Sequence, residues 1–408
     1  MFMRLLLVFS SLCLIAADSA QFRGPNRDGI FPETGLLKSW PEAGPKRVWL
    51  ATGLGKGYAS VAVVEGTAFT TGIVGKTGYL FALDVATGKQ IYQSAYGQEH
   101  DGNNYEGARS TPTVADGKAY IISGLGVVSC FAAQTGKKLW TVDTLKRFGD
   151  GASPDSLIPR FAMSESLLVD GNKLICTPGA PNASVVALNK DTGETIWTSK
   201  GLSDISGYCS TRIFETGKLR QLVTLTSGQL VGLNLETGAL HWKQEYKASH
   251  GIHANSPVFN GHDIYVTDGY GQGGAMFRMT ADGKSVSQLW KEKTLDVHHG
   301  GCVVLNGKIY GADNRGILIA LDAATGKIHA KGSGVGKGAI IAADGLIYGY
   351  GERGRIGIID PNAEELIPIS TFAISDGSGQ HWAHPVISDG ALYIRRGDAM
   401  MRYNIKAR

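Results

Sequence analysis

The sequence predicts an all-β chain, an eight-bladed propeller of four-stranded blades, and three observations carry the prediction. A hairpin of the type ALDxxTGKxxW is written five times, as YLFALDVATGKQIY (79–92), VSCFAAQTGKKLW (128–140), VVALNKDTGETIW (185–197), LVGLNLETGALHW (230–242) and IALDAATGKI (319–328). A second hairpin occurs eight times, at 63–69, 114–121, 168–175, 214–222, 258–266, 304–311, 342–349 and 387–394. Each copy is an apolar run, an acidic or small polar residue, Gly, then an alternating apolar run, which is the chemistry of a tight loop needing positive φ. Finally, the marker glycines Gly66, Gly117, Gly171, Gly217, Gly261, Gly307, Gly345 and Gly390 follow one another at 38 to 54 residues, near the length of a four-stranded blade.

The elements follow in chain order. Residues 1–20 have the form of a signal peptide: MFMR is a positive start, LLLVFSSLCLIAA an apolar stretch, and a small-residue cleavage site falls after about Ser19 or Ala20. An exported protein, periplasmic or secreted, is expected, with no transmembrane segment in the mature chain. Leu12 stands before Cys13 where a lipidation site wants a small residue, which argues against a lipid anchor. Residues 21–43 form a leader segment, and GPKRVWLA (44–51) looks like an orphan fourth strand carrying Trp49. Within each later unit the first strand runs into the DG turn and the second leaves it. The third carries ALD, and the TGK turn opens the fourth. The last unit ends in RYNIKAR (402–408), a third strand without a fourth. Pairing of the two ends, with Trp49 and Tyr403 in one blade, then closes residues 21–408 into a single ring without a free sheet edge.

Composition narrows the function. The 408 residues are 43% hydrophobic and 19% charged, with 56 Gly and a net charge of only +4. No Lys/Arg run marks a phosphate track, so nucleic acid is not an expected partner. Cys130, Cys176, Cys209 and Cys302 form no CxxC or CxxCH motif, which gives no signal for covalent haem or a zinc knuckle. Buried thiols and a disulfide are both open.

The repeated ALDxxTGKxxW motif in an exported eight-unit chain resembles the quinoprotein-like, or PQQ-repeat, β-propellers. The resemblance covers the mature chain. The family holds quinone-dependent alcohol dehydrogenases as well as non-enzymatic scaffolds, so PQQ is a cofactor implied by resemblance alone. The dehydrogenases carry a vicinal Cys–Cys pair and an acidic calcium site with an Asp base. This chain has no adjacent cysteines, and Asp84, Asp322 and Asp360 are turn formers.

Function is expected at the channel end where the inner strands begin. Eight residues before the marker glycines stand Tyr58, Arg109, Met163, Cys209, His253, His299, Lys337 and Trp382. Two residues on, on the same strand face, stand Ser60, Thr111, Glu165, Thr211, Asn255, Gly301, Ala339 and His384. Six of the ten histidines, His250, His253, His298, His299, His381 and His384, fall in three of these segments. Convergence of His253, His299 and His384 would make a transition-metal site. A mouth lined by Glu106, Arg109, Arg160, Arg212, Lys337 and Trp382 would hold a small anionic ligand or a protein partner. Each histidine also has a plain structural reading as a packed ring bonded to backbone, and Arg109 as a tie between a loop and carbonyls. Anchoring blade 5 on Pro257 instead of Gly261 turns His253 to the other face. HDGNNYEG (100–107) gathers Asp101, Asn103 and Asn104 as oxygen donors but lacks the spacing of a calcium loop. Two functions follow: a binding or scaffold propeller, or a PQQ-dependent alcohol or sugar dehydrogenase with a variant site. In the second, Arg and Lys hold the quinone and a His takes the alcohol proton.

Overall fold

A computed structural model describes residues 18–102 and 105–407. Eight antiparallel sheets follow one another in chain order, at 62–98, 113–143, 168–198, 212–245, 258–292, 303–332, 338–373 and 386–404, here blades 1 to 8. In seven of them all four strands are consecutive. Blade 8 takes its outer strand from the beginning of the chain: Arg47–Ala51 pairs with Ala399–Asn404, setting Arg47 opposite Tyr403 and Trp49 opposite Arg402. The ring closes as the sequence predicts.

Two local devices build each blade. In the DG turns of blades 1, 2, 6, 7 and 8 both loop residues are left-handed, as at Asp116 (φ 48°) and Gly117 (φ 71°), the geometry that suits the twist of a two-residue hairpin, and in blades 3, 4 and 5 the glycine alone is left-handed. In the TGK turn the Asp84 carboxylate accepts from the Thr87 N–H at 2.7 Å and from the Thr87 hydroxyl at 2.6 Å. Gly88 then turns with φ 72°. The following aromatic joins neighbouring blades. Trp49 Nε1–H donates to Val85 O across the closure at 2.8 Å, and its ring lies against Gly88, where a Cβ would stand 2.6 Å from it. Trp140 repeats the contact with Lys190 O and Gly193, Trp197 with Leu235 O and Gly238, and Trp290 with Ala323 O and Gly326. The motif therefore encodes both the turn and the seam between blades. The four cysteines are buried free thiols.

The leader segment lies inside the ring. Ser19 pairs with Val63 of blade 1, and Ala20 O accepts from the Val114 N–H of blade 2 at 2.8 Å. Ile30–Phe31 adds a short parallel strand to the inner edge of blade 7. Between them, Arg27 Nη groups donate to Ser166 O at 2.5 Å and Leu167 O at 2.9 Å in front of blade 3. Arg23 donates to Cys302 O of blade 6 at 2.6 Å, to Ile340 O of blade 7 at 3.3 Å and to His384 Nδ1 of blade 8 at 3.0 Å. Arg212 of blade 4 donates to Asn26 O at 3.0 Å. The leader is thus bonded to blades 3, 4, 6, 7 and 8, with Ser19 and Ala20 ahead of it reaching blades 1 and 2, and it occupies the channel toward its DG-turn end. Residues 1–17 of the expected signal peptide lie outside the described residues, as do Asn103 and Asn104.

Candidate functional site

The opposite end of the channel is formed by the loops entering each inner strand and those joining second to third strands. Every blade supplies a side chain there. Tyr58, Tyr105, Phe161, Tyr208, Tyr270, the pair His298 and His299, the pair Lys337 and Glu352, and Trp382 come from blades 1 to 8 in order. Trp382 lies 4.9 Å from the Tyr58 ring, 5.1 Å from Tyr105 and 5.5 Å from His299. Tyr105 meets Phe161 at 6.1 Å, the Phe161 N–H points at the Tyr208 hydroxyl, and Tyr270 meets His298 at 4.7 Å.

Glu352 organises the charged side of the mouth. His299 Nε2 lies 2.7 Å from its Oε1, Trp382 Nε1–H donates at 2.9 Å, and Lys337 Nζ stands 3.4 Å away. Burial opposes the charged form of this carboxyl, but the His299 hydrogen bond and the His299 and Lys337 charges win and hold it at about 2. Lys337 also donates to His298 Nδ1 at 3.0 Å. His298 therefore carries its proton on Nε2 and donates to the Tyr270 oxygen at 2.7 Å, leaving the Tyr270 O–H free to donate outward. Burial, with the nearby His299 and Lys337 charges, lowers the His298 pKa to about 4, so the ring is neutral at neutral pH. Tyr270 is 43% exposed.

Four strained residues stand at the same end. Ala162 (φ 66°), Tyr208 (φ 76°), His250 (φ 63°) and Tyr270 (φ 63°) are left-handed residues that are neither Gly, Asn nor Asp. Such conformations cost about 1–3 kcal/mol each and persist where surrounding structure demands them.

Beneath the ring runs a belt of bonds between blades. The Ser60 N–H donates to Thr111 Oγ1, the Thr111 N–H to Ser166 Oγ and the Ser166 N–H to Ser210 Oγ. Ser256 Oγ donates to Ser210 O, the Gly301 N–H to Asn255 Oδ1 and the Ile340 N–H to Gly300 O. Ser60 Oγ donates to His384 O and ties blade 8 to blade 1. The small polar residues before each DG strand are blade-to-blade ties.

Of the sequence candidates, His299, Lys337 and Trp382 come together at the mouth. Arg109 is there too, with its cation 5.4 Å over Tyr58, but its Nη groups donate to the Gly107 and Tyr105 carbonyls and tie the loop. Glu106 pairs with Lys56 at the rim, and the Arg160 cation lies 5.4 Å over Phe161. Arg212 is not at the mouth: it is buried in its inner strand, donating to Pro257 O and the leader. His253 is fully buried, bonded to Asp268 at 2.8 Å and facing Ser227 O at 3.2 Å. His384 is bound by Arg23 and donates to His299 O at 2.9 Å. These three histidines therefore do not converge, and among the described residues no three His, Cys, Asp or Glu gather as metal ligands. Met163 and Cys209 are packed. Tyr270 and Glu352 were missed because they lie on loops between second and third strands, TDGYGQGG (267–274) and YGERGR (350–355), away from the DG marker.

The family model described as outer membrane protein assembly factor BamB matches residues 40–156 and 160–331. The chain belongs to this PQQ-repeat family. Among PQQ-repeat relatives, outer membrane protein assembly factor BamB of Burkholderia pseudomallei is 24% identical over 78% of this chain and 91% of its own length. Quinoprotein alcohol dehydrogenase PedH of Pseudomonas putida is 28% identical over 47% of this chain, and the match spans 30% of that enzyme. The crystal structure of BamB from Moraxella catarrhalis shares the fold with a TM-score of 0.63 at 15% identity, over 88% of this chain and 99% of that one. No helix among the described residues is long and apolar enough to cross a membrane.

Proposed function

We propose that the protein is an exported binding propeller that holds a partner or ligand at the aromatic mouth, a scaffold role of the kind named for its assembly-factor relatives. The observation that carries this is the pairing of ends. One end of the channel is filled by the leader, and the other presents aromatic or charged groups from all eight blades on a strained backbone. A blind, aromatic-lined mouth suits an end-on contact: aromatics give large contact area at low entropic cost, and the Glu352–Lys337 pair fixes orientation.

The quinone-dependent reading has the partial sequence match to the dehydrogenases in its favour. Its cofactor needs calcium-ligating carboxylates and cations available to an anion. The described residues offer no such acidic set, and Arg109 and Lys337 are bonded within the protein. The residues do not fit the group, and no catalytic step is derived through it.

A photo-crosslinking amino acid at Trp382 or Tyr270, introduced in producing cells, should give a discrete adduct that is absent when the same group replaces Ile91 on an outer strand. Equal crosslinking at all three positions refutes the mouth as the site. In parallel, purified protein given PQQ and calcium should fail to reduce an artificial dye with alcohols or sugars. Dye-linked turnover would replace the scaffold reading with the enzymatic one.

A further inference from the structure

The channel floor concentrates positive charge without an ionic partner. Arg23, Arg27 and Arg212 are all buried, and among the described residues none of them forms a salt bridge. Their Nη groups are spent on backbone carbonyls, on the Gln21 amide oxygen and on His384. Arg212 bonds the carbonyl of Asn26, the residue just before Arg27, so two guanidiniums meet at one bend of the leader. The Nε–H groups of Arg27 and Arg212 have no partner among the described residues. Unpaired buried donors of charged groups are costly and call for an acceptor.

Nearby acids balance only part of this charge. Glu165 is buried and uses one oxygen to accept the Thr177 N–H at 2.6 Å. Burial pushes its pKa up to about 7 despite that bond and the Arg27 charge, so it is only partly ionised at neutral pH. Asp28 is half-buried and accepts the Ile30 N–H. Burial lowers each guanidinium to about 10; Asp28 offsets part of this at Arg23 and Arg212 and Glu165 at Arg27, while Arg23 acts against Arg212 and Arg212 against Arg27. The three cations repel one another in a medium with little screening.

We infer that the channel floor binds one small monovalent anion of halide type, held by the Nε–H donors of Arg27 and Arg212. Two free N–H donors within a buried cationic bend match a compact single charge. A divalent oxyanion would need more donors than this floor leaves free. The anion would pin the leader against blades 3 and 4, which makes it a folding cofactor, independent of whatever the mouth binds.

Full-length protein should be melted in sodium chloride, bromide and gluconate at one fixed ionic strength. Chloride and bromide are expected to raise Tm hyperbolically to a plateau, as a ligand of the native state does, and gluconate is expected to have no such effect. Crystals grown in bromide should show an anomalous peak at the two Nε atoms. Arg27→Lys, which keeps the charge and lacks that donor, should lose the halide-specific part of the shift. Halide and gluconate melts that coincide, or bromide crystals without a peak at this bend, overturn the inference whether or not the variant folds.

Discussion

Replacement of Arg23 by Met tests whether the leader is a structural hub. Arg23 makes two well-formed bonds, to Cys302 O at 2.6 Å and His384 Nδ1 at 3.0 Å, and three longer ones, to Asp28 O at 3.2 Å, Ile340 O at 3.3 Å and Gly300 O at 3.5 Å. Leaving the two best acceptors unpaired costs about 1–3 kcal/mol each, and the longer ones add roughly 1–2 kcal/mol together. Against this, the buried charge is already unfavourable. Burial lowers its pKa from 12.5 to about 10, which at about 1.4 kcal/mol per unit returns roughly 3 kcal/mol when the charge is removed. The losses sum to roughly 3–8 kcal/mol, so the net cost is about 0–5 kcal/mol, centred near 2–3. In a chain of this length that is a fall of a few degrees in Tm, since the unfolding entropy scales with residue number. The assay is a thermal melt with a urea titration in parallel, with Arg23→Lys as control: it keeps the charge, loses the fork and should lie at or below the Met variant. A Met variant as stable as the parent would refute the hub and leave the leader as a passive tail.

Other expectations can be read off the same geometry. Gly88→Ala places a Cβ 2.6 Å from the Trp49 ring at φ 72° and should cost about 2–5 kcal/mol in a urea titration, whereas Gly66→Ala, with φ 75° and nothing within 4 Å, should cost only about 1–2 kcal/mol. Tyr270→Asn should leave stability within about 0.5 kcal/mol, because relief of the left-handed tyrosine offsets the lost His298 bond, yet abolish the crosslink at Trp382. Stability should fall as pH drops from about 6.5 to 4, measured as Tm. Burial lowers both His298 and His381 to about 4, so the unfolded chain binds more protons across that window, and the stability present above 6.5 is lost towards 4. Glu165, raised to about 7 by burial, opposes this over the same range, so the histidine share is read against a His298→Gln, His381→Gln double variant, and a pH profile unchanged in that variant would refute it.

The blades were legible because their instructions are local. The DG and TGK turns each fix a left-handed glycine, and the seam tryptophans Trp140 and Trp197 lie four residues after Gly136 and Gly193, so repetition exposes both. The mouth was legible only where strand register holds. Counting back from the marker glycine places Tyr58, His299, Lys337 and Trp382 correctly, but Met163, Cys209 and His253 at the same offset turn into the packing. In blade 5 the Pro257 anchor describes the strand better, and His253 points to Asp268. The contacts of the leader were not legible because FRGPNRDG (22–29) has no periodicity. Its partners lie as far away as His384, 361 residues from Arg23, and exist only once the ring has closed.

The histidine enrichment then has a physical account that needs no metal. Arg23 donates to His384 Nδ1, which puts the His384 proton on Nε2, where it is donated to His299 O at 2.9 Å. His299 in turn reaches Glu352 at 2.7 Å, and Glu352 receives Trp382. A continuous polar path therefore runs from the leader at the floor to the aromatic ring at the mouth. Imidazole suits such a path because the neutral His384 ring accepts on Nδ1 and donates on Nε2, and so links a guanidinium to a carbonyl within a buried channel. Lysine would bring another charge into a floor that already holds three, and an apolar residue would leave both partners unpaired. His299 and His384 thus join the floor to the mouth at the strand starts of blades 6 and 8.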